Sequence, residues 1–260
     1  RMGAEVTIVE HNEHLLPRLE ADAGELLAER FEEEGIRVLL QQKADGVEGA
    51  VDGVRLSLES GDALHAERLL VATGRRPNVA GIGLEQLGVE ITQRGVTVDD
   101  RLRAADAVWA IGDAAGVGLL THLGKYQARV AAANIVGRQV RADYRAIPAA
   151  VFTDPQVGSV GRMDVKGVVS ARFELTGGRL STYERPKRHG FVKLAADASR
   201  RVLVGAVAVG PEAGEWLGQL TLAVRAEVPL DVLLDTIQPY PTFSEAIFGA
   251  LVELASALDG

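Results

Sequence analysis

Three short stretches place reactive side chains where a strand gives way to a turn. In RMGAEVTIVE, residues 1–10, a run of alternating apolar residues ends in Glu10. A carboxylate at the C-terminal end of such a strand can accept the hydroxyls of an adenosine ribose, and its charge repels a 2′-phosphate. It can equally be a solvated strand end. LLVATGRRPN, residues 69–78, runs from an apolar strand into Thr73 and Gly74, where glycine lets a backbone pass close to a ligand. The alternative there is a β-turn followed by two solvated arginines, Arg75 and Arg76. In VWAIGDAAG, residues 108–116, a strand ends at Ile111, Gly112 turns the chain, and Asp113 leaves the sheet edge toward the following helix. A lone Gly-Asp is also an ordinary turn or cap.

These residues need strands and helices to hold them, and the apolar spacing predicts which. Residues 5–10 read as a buried strand. After Pro17 a helix carries Leu19, Ala23, Leu26, Leu27 and Phe31 on one stripe, and Gly35 takes the left-handed position beyond its end. IRVLL is the next strand. VRLSLES alternates Val54, Leu56 and Leu58 inward, and GDALHAERLLVATG returns as a hairpin into a second buried strand. Further on, a strand at Ala107–Ile111 leads through a glycine turn into an Ala-rich helix that ends at Gly137. The texture changes near Pro148. Several β-like runs follow, then helices at residues 212–227, 230–234 and 244–258. Strands first and helices later predict a separate α+β domain after an α/β part.

Composition narrows the classes of function. The chain has 260 residues, 47% of them hydrophobic and 25% charged, as a soluble globular protein does. A net charge of -8 argues against nucleic-acid or anionic-membrane partners, which favour basic surfaces. The longest apolar run, VLVGAVAVG, is too short to span a bilayer. With no cysteine the chain carries no disulfide and no thiolate nucleophile, and its five histidines lack metal-ligand spacing, so no metal site is expected. Cytoplasm is the default compartment.

The order of the motifs decides between these alternatives. A strand-end acid, then ATGRRPN, then AIGDAAG, then an Ala-rich helix resembles the C-terminal two-thirds of a pyridine nucleotide–disulfide oxidoreductase, a relative of dihydrolipoamide dehydrogenase and mercuric reductase-like flavoproteins. VFTDPQVGSVG, GFVKL and YPTFSEA continue the resemblance into that family's dimerisation domain. It implies an α/β fold with three parts. Residues 1–75 would be the C-terminal part of a Rossmann-like NAD-binding domain, 76–145 the returning segment of the FAD-binding domain, and 146–260 the α+β dimerisation domain. The glycine fingerprint G-x-G-x-x-G belongs about 20 residues before the acid. The resemblance therefore has the chain start just after it.

The resemblance also implies roles. Glu10 would hold the NAD ribose, Gly74 would contact the nicotinamide side, and Ala44 would be a weaker NAD contact. Asp113 would bind FAD, and Leu119, Leu120, Thr121 and His122 would pass the flavin at the start of their helix, where the dipole favours negative charge. Tyr240 and Glu245 stand where the family's disulfide reductases carry a His–Glu acid–base pair reaching the partner subunit. A phenol with a reference pKa of about 10 shuttles protons poorly at neutral pH compared with imidazole near about 6.5. Tyrosine there, as in mercuric reductase-like members, points to a changed electron acceptor. The ending ALDG lacks the terminal cysteine pair that gathers mercury, and residues 162–180 are shorter than the family's usual segment. The implied protein is a homodimeric enzyme passing electrons from NAD(H) through FAD to a disulfide, a quinone or another small acceptor. The alternative is a non-catalytic fragment that dimerises and binds nucleotide. YERPKRHG, residues 183–190, is an anion or partner contact or, more simply, a solvated loop.

Overall fold

A computed structural model describes residues 2–175, 179 and 190–260. The chain divides into two compact units, one of residues 1–70 together with 148–260 and one of residues 71–147.

In the first unit β1 (Thr7–Val9) pairs in parallel with β2 (Arg37–Leu39), and α1 (Ala21–Glu33) connects them. A meander of β3 (Ala44–Ala50), β4 (Gly53–Leu58) and β5 (Ala63–Ala66) follows. The second half of this unit is a five-stranded antiparallel sheet of β10 (Pro148–Val151), β11 (Gln156–Gly161), β12 (Val168–Glu174), β13 (Phe191–Asp197) and β14 (Val202–Gly210), in the order β10-β11-β14-β13-β12. Two helices, α3 (Ala213–Ala226) and α5 (Ser244–Asp259), pack on this sheet, and the short α4 (Leu230–Asp235) links them.

The strand β14 explains why VLVGAVAVG is apolar without alternation. Both of its faces are covered, so both sets of side chains favour apolar residues. On one face Val207 and Val209 meet Val157 and Phe191, and α1 adds Ala23 and Leu26 to the same core. On the other, Ala206 and Ala208 are also fully buried. The helix stripe read from the sequence is thus divided: Leu19, Ala23 and Leu26 lie on this sheet, while Leu27 and Phe31 pack with Ile8 of β1 and Val38 of β2, and Gly35 is in the left-handed conformation at φ +83°. At the other end of the chain Ile247, Leu251 and Leu254 are buried in the domain's own core. The large apolar side chains of α5 left exposed are Phe248 and Val252, one turn apart.

The second unit holds two small hairpins, β6 (Ile91–Thr92) with β7 (Gly95–Val96) and β8 (Arg103–Ala105) with β9 (Val108–Trp109), and the helix α2 (Thr121–Ile135). Val79, Val89 and Val96 form one small core, and Leu102 packs with Val130 and Ala131 of α2 in another.

One expected strand is missing. Leu69–Thr73 lies outside any strand, and Leu70 and Val71 are 88% and 68% exposed. An apolar run becomes a strand only when a neighbour completes its ladder, and among the described residues no segment pairs with it. The strand expected at Ala107–Ile111 likewise shortens to the two residues of β9.

Candidate functional site

The site in the second unit is built on a turn. Ile111 is extended, Gly112 adopts φ +62°, and residues 112–115 form one turn of 3₁₀ helix that ends at Gly116 with φ +66°. A side chain at Gly116 would place its Cβ 1.7 Å from the Arg94 carbonyl, so glycine is required there for space as well as for conformation. Asp113 leaves this turn half-buried and pairs with the Arg75 guanidinium. A second Arg75 nitrogen, Nη1, donates to the carbonyl of Leu119 at 3.2 Å. Arg75 therefore ties together the ATGRRPN segment, the AIGDAAG turn and the lead-in to α2. Leu120 is extended at the helix start, and Thr121 and His122 occupy its first, exposed turn. Gly74, beside Arg75, adopts φ +126° with open space around it.

Beneath the turn lies a residue that sequence reasoning passed over. Gln127 of α2 is fully buried. Its Oε1 accepts the Gly112 backbone N–H at 2.6 Å, and its Nε2 donates to the Tyr144 hydroxyl at 2.9 Å. Burial lifts the Tyr144 phenol above its usual range, against the opposing hydrogen bond from Gln127, so it is neutral at physiological pH. The signal was available: Leu123, Gln127 and Val130 recur at spacings of four and three, on the buried stripe of the helix.

Glu10 and Ala44 lie in the other unit. The Glu10 backbone continues the β1–β2 ladder, with its N–H on the Leu39 carbonyl at 2.9 Å. Its carboxylate Oε1 accepts the Asn12 backbone N–H at 2.9 Å and the Asn12 side-chain amide at 2.6 Å, with His11 Nδ1 at 3.1 Å. Burial works against the charge, yet the Asn12 donors and His11 outweigh it and hold the carboxyl below its ordinary value. The oxygen Oε2 takes part in none of these contacts. Asn12 is the partner the sequence reading missed. Ala44 is exposed at the start of β3.

Tyr240 and Glu245 line an open cleft of about 660 Å³ with Phe173, Gln238 and Phe248. Tyr240 is 79% exposed, next to a cis bond to Pro241. Glu245 Oε2 accepts the Thr242 N–H at 3.0 Å, and the Thr242 hydroxyl donates to the Pro239 carbonyl at 2.6 Å. Among the described residues, the buried Gln238 Nε2 has no hydrogen-bond partner. Residues 183–189 of the YERPKRHG cluster lie outside the described residues. Among the described residues, no helix is long and apolar enough to cross a membrane.

The two carboxylate acceptors suit the hydroxyl-bearing groups the resemblance implies. Glu10 presents an ionised acceptor for ribose hydroxyls, and Asp113 presents a partly exposed carboxylate already oriented by a cation.

Residues 1–135 match the family described as pyridine nucleotide-disulphide oxidoreductase, and residues 147–251 match the dimerisation domain of that family. A dihydrolipoyl dehydrogenase 2 from Haloarcula marismortui is 36% identical over 262 residues, covering 96% of this chain and 55% of the relative. A dihydrolipoyl dehydrogenase from Thermus scotoductus is 35% identical over 272 residues, covering 99% of this chain and 58% of its own length. Among solved structures, LpdA from Mycobacterium tuberculosis superposes with a TM-score of 0.84 at 32% identity, over 97% of this chain and 57% of that one. The chain thus spans a little over half the length of the relatives it matches.

Proposed function

Because the chain belongs to the pyridine nucleotide-disulphide oxidoreductase family, we propose that it serves as the C-terminal portion of a homodimeric, cytoplasmic FAD-dependent oxidoreductase that takes electrons from NADH. The three parts assigned to residues 1–75, 76–145 and 146–260 supply nucleotide contact, flavin contact and dimerisation in turn. Bound FAD would accept hydride from the nicotinamide and pass two electrons to an acceptor. The chain's own residues bind and orient.

Glu10 accepts the ribose hydroxyls and disfavours a 2′-phosphate, while Gly74 and Ala44 offer backbone and small-residue contact to the dinucleotide. Asp113 takes a hydroxyl of the flavin side chain. Leu119, Leu120, Thr121 and His122 line its path at the start of α2. Tyr240 and Glu245 face the acceptor across the dimer. Glu245 orders the turn that carries Tyr240, through Thr242, and Tyr240 contacts a small electrophile, a quinone or a disulfide.

The observation that carries this reading is the Arg75–Asp113 pair, which joins two motifs 38 residues apart into one structure. The test is flavin content. In a full-length protein containing this chain, Asp113→Ala lowers FAD occupancy at a given free FAD concentration. Unchanged occupancy removes Asp113 from the flavin site and favours a non-catalytic dimerising module.

A further inference from the structure

We propose that Gln127 is a positioning residue for Asp113: its buried carboxamide fixes the Gly112–Asp113 turn from beneath, while Arg75 steadies the carboxylate from outside. The inference rests on the reading of Asp113 as a flavin ligand.

Among the described residues, Gln127 is the one polar side chain that is buried outright, at 0% exposure. A site that needed only filling would favour leucine or methionine, because a carboxamide removed from water loses its hydration. The amide has a use here. Gly112 bends at φ +62°, where β9 has ended and α2 has not begun, so its N–H finds no partner in either element. Gln127 Oε1 satisfies that donor at 2.6 Å. The requirement also fixes the orientation of the amide, since only Oε1 can accept, and it leaves Nε2 to donate to Tyr144 at 2.9 Å. Tyr144 in turn packs edge-on against Tyr126 at 6.3 Å, so the far end of the relay is anchored in the same unit. Gly124, one turn before Gln127, allows the helix to approach: a Cβ there would lie 3.2 Å from the Gly112 Cα.

The two contacts act on different atoms of the turn. Gln127 holds the backbone on the N-terminal side of Asp113, which sets where its Cα sits. Arg75 holds Oδ2, which sets where the carboxylate points. Both groups of this ion pair are substantially exposed, with side chains 62% and 41% accessible, so screening leaves the pair little strength for holding the backbone. That task falls to the buried amide.

The experiment uses two substitutions and two readouts. Gln127→Met keeps the volume and removes both hydrogen bonds. Gln127→Glu, protonated when buried, keeps an acceptor for Gly112 and a donor for Tyr144. In the 260-residue chain, amide exchange at Gly112 is followed by NMR. In a full-length flavoprotein containing it, the free FAD concentration giving half occupancy is measured. Gln127→Met is expected to speed Gly112 exchange and raise that FAD concentration, each about tenfold, with exchange across β10–β14 unchanged. Gln127→Glu should restore most of both, and Arg75→Met should alter FAD occupancy without speeding Gly112 exchange. Wild-type exchange at Gly112 in Gln127→Met overturns the proposal. So does wild-type FAD retention in that variant when Asp113→Ala lowers it. If Asp113→Ala leaves FAD retention unchanged, the flavin assignment has failed instead, and Gly112 exchange still reports on the hold of Gln127. Should Gln127→Met not fold, Tyr144→Phe removes only the outer bond, and unchanged Gly112 exchange there, with no rescue by Gln127→Glu, also overturns it.

Discussion

Lys193 Nζ and Glu20 Oε2 meet at 2.5 Å although 173 residues separate them in the chain. Asp22 Oδ2 lies 3.3 Å from the same ammonium and 3.2 Å from Arg172 Nη1, while the Arg172 guanidinium stacks over the Phe191 ring at 3.9 Å. The start of α1 is thereby pinned to β12 and β13 by charge as well as by the apolar stripe. Asp22 also sits in the first turn of α1, where the helix dipole favours a negative charge.

Lys193→Met should therefore lower stability by about 1–2 kcal/mol near neutral pH, a hydrogen-bonded charge discounted for partial exposure. Burial disfavours the Lys193 charge, but Glu20 and Asp22 more than compensate, and its pKa is raised. A raised value means the contribution is fully present below the ordinary lysine pKa of about 10.4 and is lost as pH rises through the folded-state value. Denaturant melts of the two proteins should differ by a constant amount from pH 7 to about 10 and converge above that. A gap that persists at higher pH would assign the loss to packing.

Asn12→Ala should bring the Glu10 pKa back toward its ordinary value, since one of the two Asn12 donors is removed. The depressed value stabilises the fold above the unfolded carboxyl pKa, and this is lost as pH falls through the folded one. The variant should thus be weaker by about 1 kcal/mol at neutral pH and indistinguishable in strong acid. A carboxyl-resolved NMR titration reads the shift directly.

Glu10→Ala should weaken NADH binding by about 1–3 kcal/mol and narrow the preference over NADPH. An NADPH preference in the unsubstituted full-length protein would overturn the role given to Glu10.

Phe248 and Val252 on α5, with Ile237 and Tyr240 nearby in sequence, are exposed apolar side chains available to a two-fold partner. Light scattering should find a dimer at micromolar concentration, and Phe248→Lys with Val252→Lys should shift it to monomer without unfolding, since neither side chain belongs to the buried core. Tyr240→Phe should leave the dimer intact, slow transfer to the acceptor, and leave flavin reduction by NADH nearly unchanged. Equal slowing of both half-reactions would take Tyr240 out of the acceptor site.

What was legible in the sequence was local. The spacing of Ala23, Leu26 and Leu27 gave the face of α1, and the glycines marked the ends of helices. On α5, Ile247, Leu251 and Leu254 recur at spacings of four and three, but periodicity says only that they are covered, and here the covering is the domain's own sheet. Leu69–Thr73 failed as a strand for the complementary reason: an apolar run states a demand for partners and cannot show that they are present. The polar contacts were the least legible. Gln127 hid in an Ala-rich helix, and Lys193 in an apolar strand, because each is explained by a partner distant in sequence. The motifs drew attention to Asp113 and Glu10 as candidate cofactor ligands, but not to Arg75 or Asn12 as the side chains that hold them.

The way α1 covers β14 also joins an early segment of the chain to a late one. A ribosome releases α1 long before β13 and β14 exist, so the stripe of Ala23 and Leu26 must wait, uncovered, for strands translated much later. Such pairing of early with late segments makes folding slow and leaves a window for association with other apolar surfaces. The sheet is built from antiparallel neighbours within residues 148–210 and takes no strand from outside them. The acidic start of α1, met by Lys193 and Arg172, fixes where the early helix sits on the late strands.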